Sequence, residues 1–368
     1  MPYPLHLGAI TYRTRDYVVL RVTTSTGTQG TAVGYTRGTP LMAALNSLAG
    51  DLFDFQDISP ASVHRTLRRR YAPGWAALVR AASLIDIALW DIASRTAGFS
   101  LGTYLGGSER DIPLMAVAGY FLDQRGPARV LEEVNEFVEA GYDAIKLIVP
   151  GHELQKDLRL VESVASILPR DVALGIDFHG AFPDLEYAAA YADAFSNQGL
   201  AFIEDPFPSY DTDLVSTLAQ QTSTSIAAGE DVTSGYAYDT LVRGGVEVIR
   251  ADVTASGGYS EVLTAINRIP MGAATVAPHV WPHAHQPLAQ AQLNVRAVEV
   301  IPHTTGADPI DLILTAPFPI EDGRWRAPSE PGLWLPVDWD RVRAVATEKV
   351  DVSAGSRLNR RHGRKDHS

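Results

Sequence analysis

From about residue 112 onwards, short apolar runs alternate regularly with helix-like runs, and few folds are compatible with this pattern. The apolar runs are eight candidate strands: Leu114–Val117, Ala144–Val149, Val172–Ile176, Ala201–Ile203, Ser225–Ala228, Val246–Ile249, Thr275–Ala277 and Ala297–Ile301. Alternation of this kind builds right-handed βαβ units and a parallel sheet. Eight units predict an α/β protein with a closed (β/α)8 barrel of the TIM type, although an open doubly wound sheet has the same local pattern.

The spacing of polar residues at the strand ends favours the closed barrel. These residues are Asp177, Glu204, Glu230, Asp252 and His279, separated by 27, 26, 22 and 27 positions. Each interval is about one βα unit, so five successive strands each end in an ionisable residue. Because barrel enzymes carry their active sites at the C-terminal ends of the strands, we expect these side chains to face one pocket.

The residues before the alternation have a different pattern, with strands first and helices after them. The predicted elements are a hairpin and three helices: Val18–Val22, Gly30–Tyr35, Leu41–Phe53, Ser62–Arg70 and Trp75–Thr96, with a helix stop at Gly98. We therefore predict an N-terminal α+β capping domain at residues 1–110 and a barrel domain at 111–320. A segment at about 320–354 is a candidate to pack back on the capping domain, and residues 355–368 are a predicted disordered, basic tail.

Composition narrows the class of protein. The chain has no cysteine, which excludes disulfides, thiolate zinc sites and a cysteine nucleophile. The sequence contains no run of about 18 apolar residues, the length needed to span a bilayer. His6, Arg13 and Arg15 interrupt the N-terminus too early for the apolar core of a secretory signal peptide. We expect a cytoplasmic enzyme with no membrane partner. The net charge of −12 disfavours nucleic acid, and the tail is either a binding arm or a frayed terminus with no specific role.

Three of the strand-end residues are carboxylates on neighbouring strands: Asp177, Glu204 and Glu230. Three unshielded anions in one pocket would repel strongly, and a hard divalent cation with oxygen ligands resolves the repulsion. The pattern therefore predicts a Mg²⁺ site, which would also let an acidic protein hold an anionic substrate. The alternative is that each acid is simply a helix N-cap.

The remaining polar residues of the strand ends suggest acid–base chemistry. Asp252 beside His279 predicts a general-base pair, in which the carboxylate orients the imidazole. His179 faces the same side as Asp177 and is a candidate general acid. Lys146, inside an apolar strand, would bind a substrate carboxylate, because an unpaired buried ammonium is costly. Glu299 either hydrogen-bonds a substrate oxygen or caps a helix. The alternatives are a hydrogen-bonded structural role for His279, a solvated loop position for His179 and a lysine at position 146 that snorkels out of the barrel.

Several segments in this order resemble the mandelate racemase-like branch of the enolase superfamily over nearly the whole chain. They are Ala-Leu-Trp-Asp-Ile-Ala (88–93), Leu-Gly-Gly (105–107), Gly-Tyr-Asp-Ala-Ile-Lys (141–146), Ile-Glu-Asp-Pro-Phe (203–207), Ala-Gly-Glu-Asp (228–231), Asp252 with Gly257-Gly258, and Pro278-His279. The resemblance implies the metal ligands Asp177, Glu204 and Glu230, the base pair His279–Asp252, and removal of a proton α to a carboxylate, with the metal stabilising the enediolate.

Departures from the family pattern narrow the reaction. The second lysine of a Lys-x-Lys motif is absent, because Ile148 stands there, and Ala255 replaces a lysine on the sixth strand. One base, His279, suits β-elimination of water with His179 as the acid. Asp-Phe-His-Gly, Ala-Gly-Glu and Ala-Pro-His are similar to galactonate and related sugar-acid dehydratases. We therefore predict a lyase that forms a 2-keto-3-deoxy acid. A racemase, epimerase or cycloisomerase, or a non-catalytic metal-binding relative, remains the alternative.

Substrate specificity is expected to come from the capping domain. Its candidate loops are Tyr12–Asp16 and Tyr35–Pro40. Their arginines Arg13, Arg15 and Arg37 would contact hydroxyls or a distal carboxylate, and the alternative for each is a simple surface arginine. The residues predicted to line the far side of the pocket are Trp281, His283 and His285. We expect a small hydroxy-carboxylate substrate and a homo-oligomeric protein.

Overall fold

A computed structural model describes residues 1–8 and 10–353, so the basic tail predicted at 355–368 lies outside the described residues. The strands are β1 (Leu5–Leu7), β2 (Ile10–Tyr12), β3 (Tyr17–Thr23), β4 (Gln29–Tyr35), β5 (Ile112–Ala118), β6 (Ala144–Ile148), β7 (Ala173–Asp177), β8 (Phe202–Glu204), β9 (Ile226–Ala228), β10 (Val248–Ile249), β11 (Thr275–Val276), β12 (Val298–Val300), β13 (Ile320–Glu321) and β14 (Arg324–Trp325).

The helices alternate with the strands after β5 and cluster before it. They are α1 (Leu41–Ala49), α2 (Pro60–Arg70), α3 (Trp75–Ala97), α4 (Leu101–Tyr104), α5 (Leu122–Glu139), α6 (Leu154–Ile167), α7 (Leu185–Phe195), α8 (Thr212–Gln221), α9 (Tyr236–Arg243), α10 (Gly258–Ile266), α11 (Pro282–Ala291) and α12 (Trp339–Val345). No helix in the described ranges is long and apolar enough to cross a membrane.

The N-terminal part packs one hairpin and two helices against the long helix α3. β3 and β4 pair antiparallel, and two glycines of β4 bring the strand against α3. A Cβ on Gly30 would overlap the carbonyl oxygen of Ala88, and one on Gly34 would lie 2.9 Å from a methyl of Leu84. Gly98 ends α3 in the left-handed conformation, at φ +77°, where glycine has no Cβ penalty.

The strands β5 to β12 form the predicted closed barrel. Neighbours in this set pair in parallel from β5 through β11, and β12 returns to pair with β5. Between β11 and β12 the ring is completed by a bridge from Val276 to Val295 and by the Glu299 amide, which donates to Pro278. The fold class predicted from the alternation is confirmed, and the open-sheet alternative is wrong.

The interior of the barrel is apolar towards the N-terminal ends of the strands and charged towards their C-terminal ends. Met115, Phe202, Ala227 and Val248 form a separate buried cluster. Gly175 makes room for it, because a Cβ there would overlap the Phe202 ring. The charged side chains lie beyond this cluster, towards the C-terminal ends of the strands, so the fold seals one end of the barrel with packed side chains.

The segment after β12 contacts both the barrel and the N-terminal part. β14 pairs antiparallel with β5, with Trp325 opposite Ile112. Further along, the Leu333 amide donates to buried Asp91 of α3 at 2.7 Å. The segment therefore connects the barrel to the helix that carries the capping hairpin.

Candidate active site

Three buried carboxylates stand at the ends of three adjacent strands. Asp177 and Glu204 are the last residues of β7 and β8, and they are register partners. Parallel neighbours in register point to the same side of the sheet, so both side chains enter the barrel mouth. Glu230 follows β9 by two residues and is also buried. The strand ends thus bring the three predicted metal ligands to one face of the barrel.

Lys146 occupies the centre of the charged layer. Its Nζ lies 2.8 Å from Oδ2 of Asp177, 3.1 Å from Oε2 of Glu204 and 2.8 Å from Oε2 of Glu299. Burial would lower the pKa of Lys146, but the carboxylates of Asp177, Glu204 and Glu299 raise it well above its ordinary value. The ammonium is therefore charged and paired with three acids of the protein itself.

Arg250 is a second buried cation, and it was not among the site residues predicted from the sequence. It directly follows β10 and stands two residues before Asp252. Its Nε donates to Glu204 at 2.8 Å, Nη2 donates to Glu299, and Nη1 donates to the Ala277 carbonyl at 2.7 Å. The signal was present, because an arginine in an apolar strand needs a partner just as Lys146 does.

Glu299 is held between these two cations. Burial opposes ionisation of Glu299, but Arg250 and Lys146 lower its pKa to about 2. Its carboxylate is ionised at neutral pH and orients Lys146 and Arg250 in the barrel mouth.

His279 and Asp252 form the predicted pair. Nδ1 of His279 lies 3.0 Å from Oδ2 of Asp252, and both the amide and the hydroxyl of Thr254 donate to the other carboxylate oxygen. Burial opposes ionisation of Asp252, yet the hydrogen bond from His279 and the nearby His285 lower its pKa to about 2. An ionised Asp252 fixes the proton of His279 on Nδ1 and leaves the lone pair on Nε2.

A residue of the capping domain reaches the free nitrogen of this histidine. Nη2 of Arg37 is 3.1 Å from Nε2 of His279 and also donates to Oε1 of Glu230 at 3.1 Å. Arg37 has a φ of +48°, a left-handed conformation that is uncommon for a residue with a side chain. The loop after β4 therefore places the Arg37 guanidinium beside Nε2 of His279.

His179 lies beside Asp177, as the alternation predicts. Its amide donates to Oδ1 of Asp177 at 2.9 Å, and its Nδ1 lies 3.2 Å from the same oxygen. Burial lowers the pKa of His179, although Asp177 opposes this. The ring stands next to the carboxylates at the barrel mouth and on the same side as Lys146.

The three residues predicted to line the far side of the pocket are buried. The Trp281 ring packs on Tyr35 of β4 with ring centres 4.2 Å apart. His283 is 1% exposed and stacks on Phe318, and His285 accepts from the Val253 amide. This burial favours a packing role for His283 and His285, and it leaves Trp281 as the one that touches the capping domain.

The donor set fits a hard divalent cation. Oδ2 of Asp177 and Oε2 of Glu204 are buried, lie within ion-pair distance of Lys146, and make no hydrogen bond of good geometry. Within residues 1–8 and 10–353, no three His, Asp or Glu side chains already stand as a group that could hold a metal ion. Glu230 is instead turned to Arg37 and His279. The oxygens are of the type Mg²⁺ takes, and two of them have unused acceptor capacity.

A capped barrel with acids, buried cations and a His–Asp pair at its strand ends is the architecture of a barrel enzyme. The family model described as "Enolase C-terminal domain-like" matches residues 129–363, and "Mandelate racemase / muconate lactonizing enzyme, N-terminal domain" matches residues 1–106. The chain belongs to the mandelate racemase/muconate lactonizing enzyme family of the enolase superfamily, which confirms the resemblance drawn from the sequence.

Curated relatives catalyse more than one type of reaction. The D-galactonate dehydratase of Klebsiella pneumoniae is 26% identical over 86% of each chain. The arabinonate dehydratase of Saccharolobus solfataricus is 24% identical over 68% of this chain and 67% of its own. The D-galactarolactone cycloisomerase of Agrobacterium fabrum is 24% identical over 92% of this chain and 93% of its own.

Solved structures share the fold. The L-talarate dehydratase from Polaromonas sp. JS666, complexed with Mg and L-glucarate, has a TM-score of 0.81 and 26% identity, and the match covers 92% of this chain and 90% of that one. A racemase from Streptomyces coelicolor with bound magnesium has a TM-score of 0.84 at 21% identity, covering 94% and 96%. The second likeness shows the fold alone.

Proposed function

We propose that this protein is a Mg²⁺-dependent sugar-acid dehydratase. The observation that carries the proposal is the His279–Asp252 pair, whose free nitrogen faces the same barrel mouth as the three strand-end carboxylates. The dehydratases among the curated relatives support the reaction type, and the Polaromonas structure with Mg and L-glucarate supports the ligand class.

Three carboxylates would hold the metal: Asp177, Glu204 and Glu230. Bound Mg²⁺ would supply Lewis-acid stabilisation of the negative charge that develops on the substrate carboxylate. The chain's own cations would add to this stabilisation. Lys146 is charged and fixed by Glu299, so its ammonium would face the developing charge without reorganising.

His279 would act as the base. With Nδ1–H donated to Asp252, Nε2 is the nitrogen that takes the α-proton, and Asp252 stabilises the imidazolium that forms. His179 would act as the acid. It would do so as the imidazolium, which the Asp177 carboxylate favours. Nδ1–H would then face Asp177, and Nε2–H would give its proton to the β-hydroxyl as the C–O bond breaks. The electrons of the α C–H bond form the enol double bond, water leaves, and the enol tautomerises to a 2-keto-3-deoxy acid.

The test is a screen of mono- and dicarboxylic sugar acids, read by keto-acid formation with semicarbazide and by α-proton exchange in deuterated water. Wild-type protein with Mg²⁺ should give both signals, and EDTA should remove them. His279→Asn should lower exchange by at least two orders of magnitude. His179→Asn should block keto-acid formation and spare exchange. Unchanged exchange in His279→Asn would contradict the base assignment.

An isomerase on the same scaffold is the second candidate, because the cycloisomerase of Agrobacterium fabrum matches almost the full length of the chain. Racemisation generally needs a base on each face of the carbon, and Ala255 removes one candidate for the second base. α-Proton exchange without keto acid would favour the isomerase. Absence of exchange on every acid, in a protein that still binds Mg²⁺, would favour a non-catalytic relative.

A further inference from the structure

His285 lies on α11, next to the proposed base pair of His279 and Asp252. Its Nε2 is 3.7 Å from Oδ1 of Asp252. The side chain is 0% exposed, so it cannot touch a substrate in the barrel mouth. Any part that this imidazole plays in the reaction must therefore pass through its contacts with the protein.

Both ring nitrogens of His285 bond to main-chain groups. Nδ1 lies 2.7 Å from the carbonyl oxygen of Val280, and Nε2 accepts from the amide of Val253 at 3.0 Å. A carbonyl oxygen can only accept and an amide N–H can only donate, so Nδ1 carries the proton and Nε2 carries the lone pair. Burial lowers the pKa of His285, in agreement with this neutral form.

The two bonded residues directly follow the two members of the base pair. Val253 comes after Asp252, and Val280 comes after His279. The His279 amide donates to the carbonyl of Ala251 at 2.9 Å, so the main chains of the two segments are joined at the pair itself. The imidazole on α11 joins them again one residue further along. It is a bridge between the segment that holds the base and the segment that holds its carboxylate.

The backbone directly after His279 has an uncommon conformation. Val280 and Trp281 have φ values of +40° and +51°, in the left-handed region that residues with a side chain rarely adopt, β-branched residues least of all. Such strain persists only where surrounding contacts fix it. The ring of His285 holds the Val280 carbonyl, and its amide donates to the Trp281 carbonyl at 3.0 Å. One residue of α11 therefore holds both strained positions.

The segment after Asp252 is a turn that is closed by its own hydrogen bonds. Thr254 donates its amide and its hydroxyl to Oδ1 of Asp252, and the Ser256 amide donates to the Asp252 carbonyl at 3.0 Å. These bonds are internal to the turn and do not set its distance from His279. The bond from the Val253 amide attaches the turn to the ring on α11.

We propose that His285 is a positioning residue of the base pair, which holds Asp252 and His279 at hydrogen-bond distance through the main chain. The kinetic consequence rests on the proposed function, whereas the geometry of the pair exists without a substrate. A displacement of about 1 Å can lower a rate about a hundredfold. Loss of the bridge should therefore slow proton removal and leave substrate and metal binding, which use other residues, unchanged.

Three substitutions separate the hydrogen bonds of the ring from its volume. His285→Leu fills a similar space and makes neither bond. His285→Gln offers an amide N–H and an amide oxygen, one donor and one acceptor like the ring, and can keep both bonds. His285→Asn has a shorter side chain that reaches Val280 but not Val253. Tyr191→Phe is the matched control, because it removes a buried hydroxyl that donates to Asp157 at 3.0 Å between α7 and α6.

The first measurement is the proton NMR spectrum of the substrate-free protein. An imidazole N–H that is donated to a carboxylate resonates far downfield, and the signal of His279 is identified by its absence in His279→Asn. This signal should remain in His285→Gln and in Tyr191→Phe. It should be lost or move upfield in His285→Leu and His285→Asn. An unchanged signal in His285→Leu overturns the proposal.

The second measurement is α-proton exchange with a sugar acid that the wild-type protein accepts, expressed per mole of folded protein. His285→Leu should lower kcat at least about tenfold and change KM by less than about twofold. The Mg²⁺ dissociation constant should stay the same. His285→Gln and Tyr191→Phe should keep kcat within about threefold of wild type. If His285→Leu does not fold, His285→Asn takes its place in the comparison.

The outcomes separate this inference from the proposed function. Equal losses of kcat in His285→Leu, His285→Gln and Tyr191→Phe would show a general effect of altering the core, which contradicts the positioning role. If wild-type protein exchanges the α-proton and His285→Leu changes neither readout, the positioning role is wrong while the dehydratase stands. If no acid exchanges its α-proton with wild-type protein, but the His279 signal depends on His285 as stated, the proposed function fails and the positioning role stands.

Discussion

At the scale of single residues, the barrel mouth is organised by two buried cations. Lys146 and Arg250 share Glu204 and Glu299, and all four side chains are at most 2% exposed. Buried charges are tolerated only when they are paired. Removing one cation therefore leaves a carboxylate in a poorly solvated place, and the cost should appear as lost stability as well as altered chemistry.

Arg250→Met tests this pairing. The variant leaves Glu204 and Glu299 with Lys146 as the remaining cation, and loss of one partner of a buried ion pair costs about 3–5 kcal/mol. Urea unfolding in EDTA measures the free energy of unfolding apart from metal binding. Arg129→Met is the control, because Arg129 pairs with Glu132 and Glu136 on an exposed helix face, where a pair contributes below about 1 kcal/mol. Equal losses in the two variants would contradict the buried-pair assignment.

At the scale of elements, the position of the capping hairpin depends on how closely β4 approaches α3. Gly30 is buried, and its Cα faces the backbone carbonyl of Ala88 in α3. A carbonyl in the middle of a helix is bonded in the helix and cannot move aside without breaking that bond. Since Tyr35 and Arg37 follow on the same strand and loop, this contact also sets where Tyr35 meets Trp281 and where Arg37 meets His279.

Gly30→Ala should therefore destabilise the protein by about 1–3 kcal/mol through overpacking. Thermal unfolding followed by circular dichroism measures the loss. Gly74→Ala is the matched change, because Gly74 precedes the same helix and a Cβ there meets no atom within 4 Å. Its effect should stay within about 0.5 kcal/mol. A tolerated Gly30→Ala would mean that the hairpin can move away from α3.

At the scale of the whole molecule, an aromatic cluster connects α11 of the barrel to the segment after β12. His283 stacks on Phe318, which packs on Trp325 and Trp334. Burial lowers the pKa of His283 to about 3, well below the ordinary value of about 6.5. The buried imidazole is therefore neutral, and the unfolded chain binds a proton there more readily than the folded chain does.

The sign of the pH dependence follows from that difference. The stability due to neutral His283 is fully present above about pH 6.5 and is lost as the pH falls towards 3. At pH 4.5 the loss amounts to about 2–3 kcal/mol. His283→Phe keeps a ring against Phe318 and removes the titration.

The measurement is the free energy of unfolding at pH 7 and at pH 4.5 for both proteins. The decrease between the two pH values should be smaller in His283→Phe, and any cost of the larger ring applies at both pH values and cancels. The carboxylates titrate alike in both proteins. An unchanged decrease would therefore show that protonation of His283 does not contribute to the loss of stability at low pH.

Hydrophobic periodicity was enough to predict the eight barrel strands, the β3–β4 hairpin and the first three helices, but not the short strands β1, β2, β13 and β14. All eight apolar runs are strands, because a parallel strand buried on both faces must be apolar throughout. The helix predicted at Leu41–Phe53 is regular to Ala49 and continues as a 3-10 turn over Gly50–Asp54. The ionisable strand ends were equally visible, since charge at the end of an apolar run is a local signal.

Local sequence patterns were enough for the barrel, the order of its strands and the ionisable residues that end them, because each of these is encoded within one short segment. The partners of those residues follow from the tertiary structure alone. Arg37 meets His279 across 242 positions of the chain, and Tyr35 meets Asp308 across 273. Arg250 joins Glu204 to Glu299, and His283 turns inward to an aromatic cluster. Such contacts depend on barrel closure and strand register, which position distant segments together and which no local pattern records.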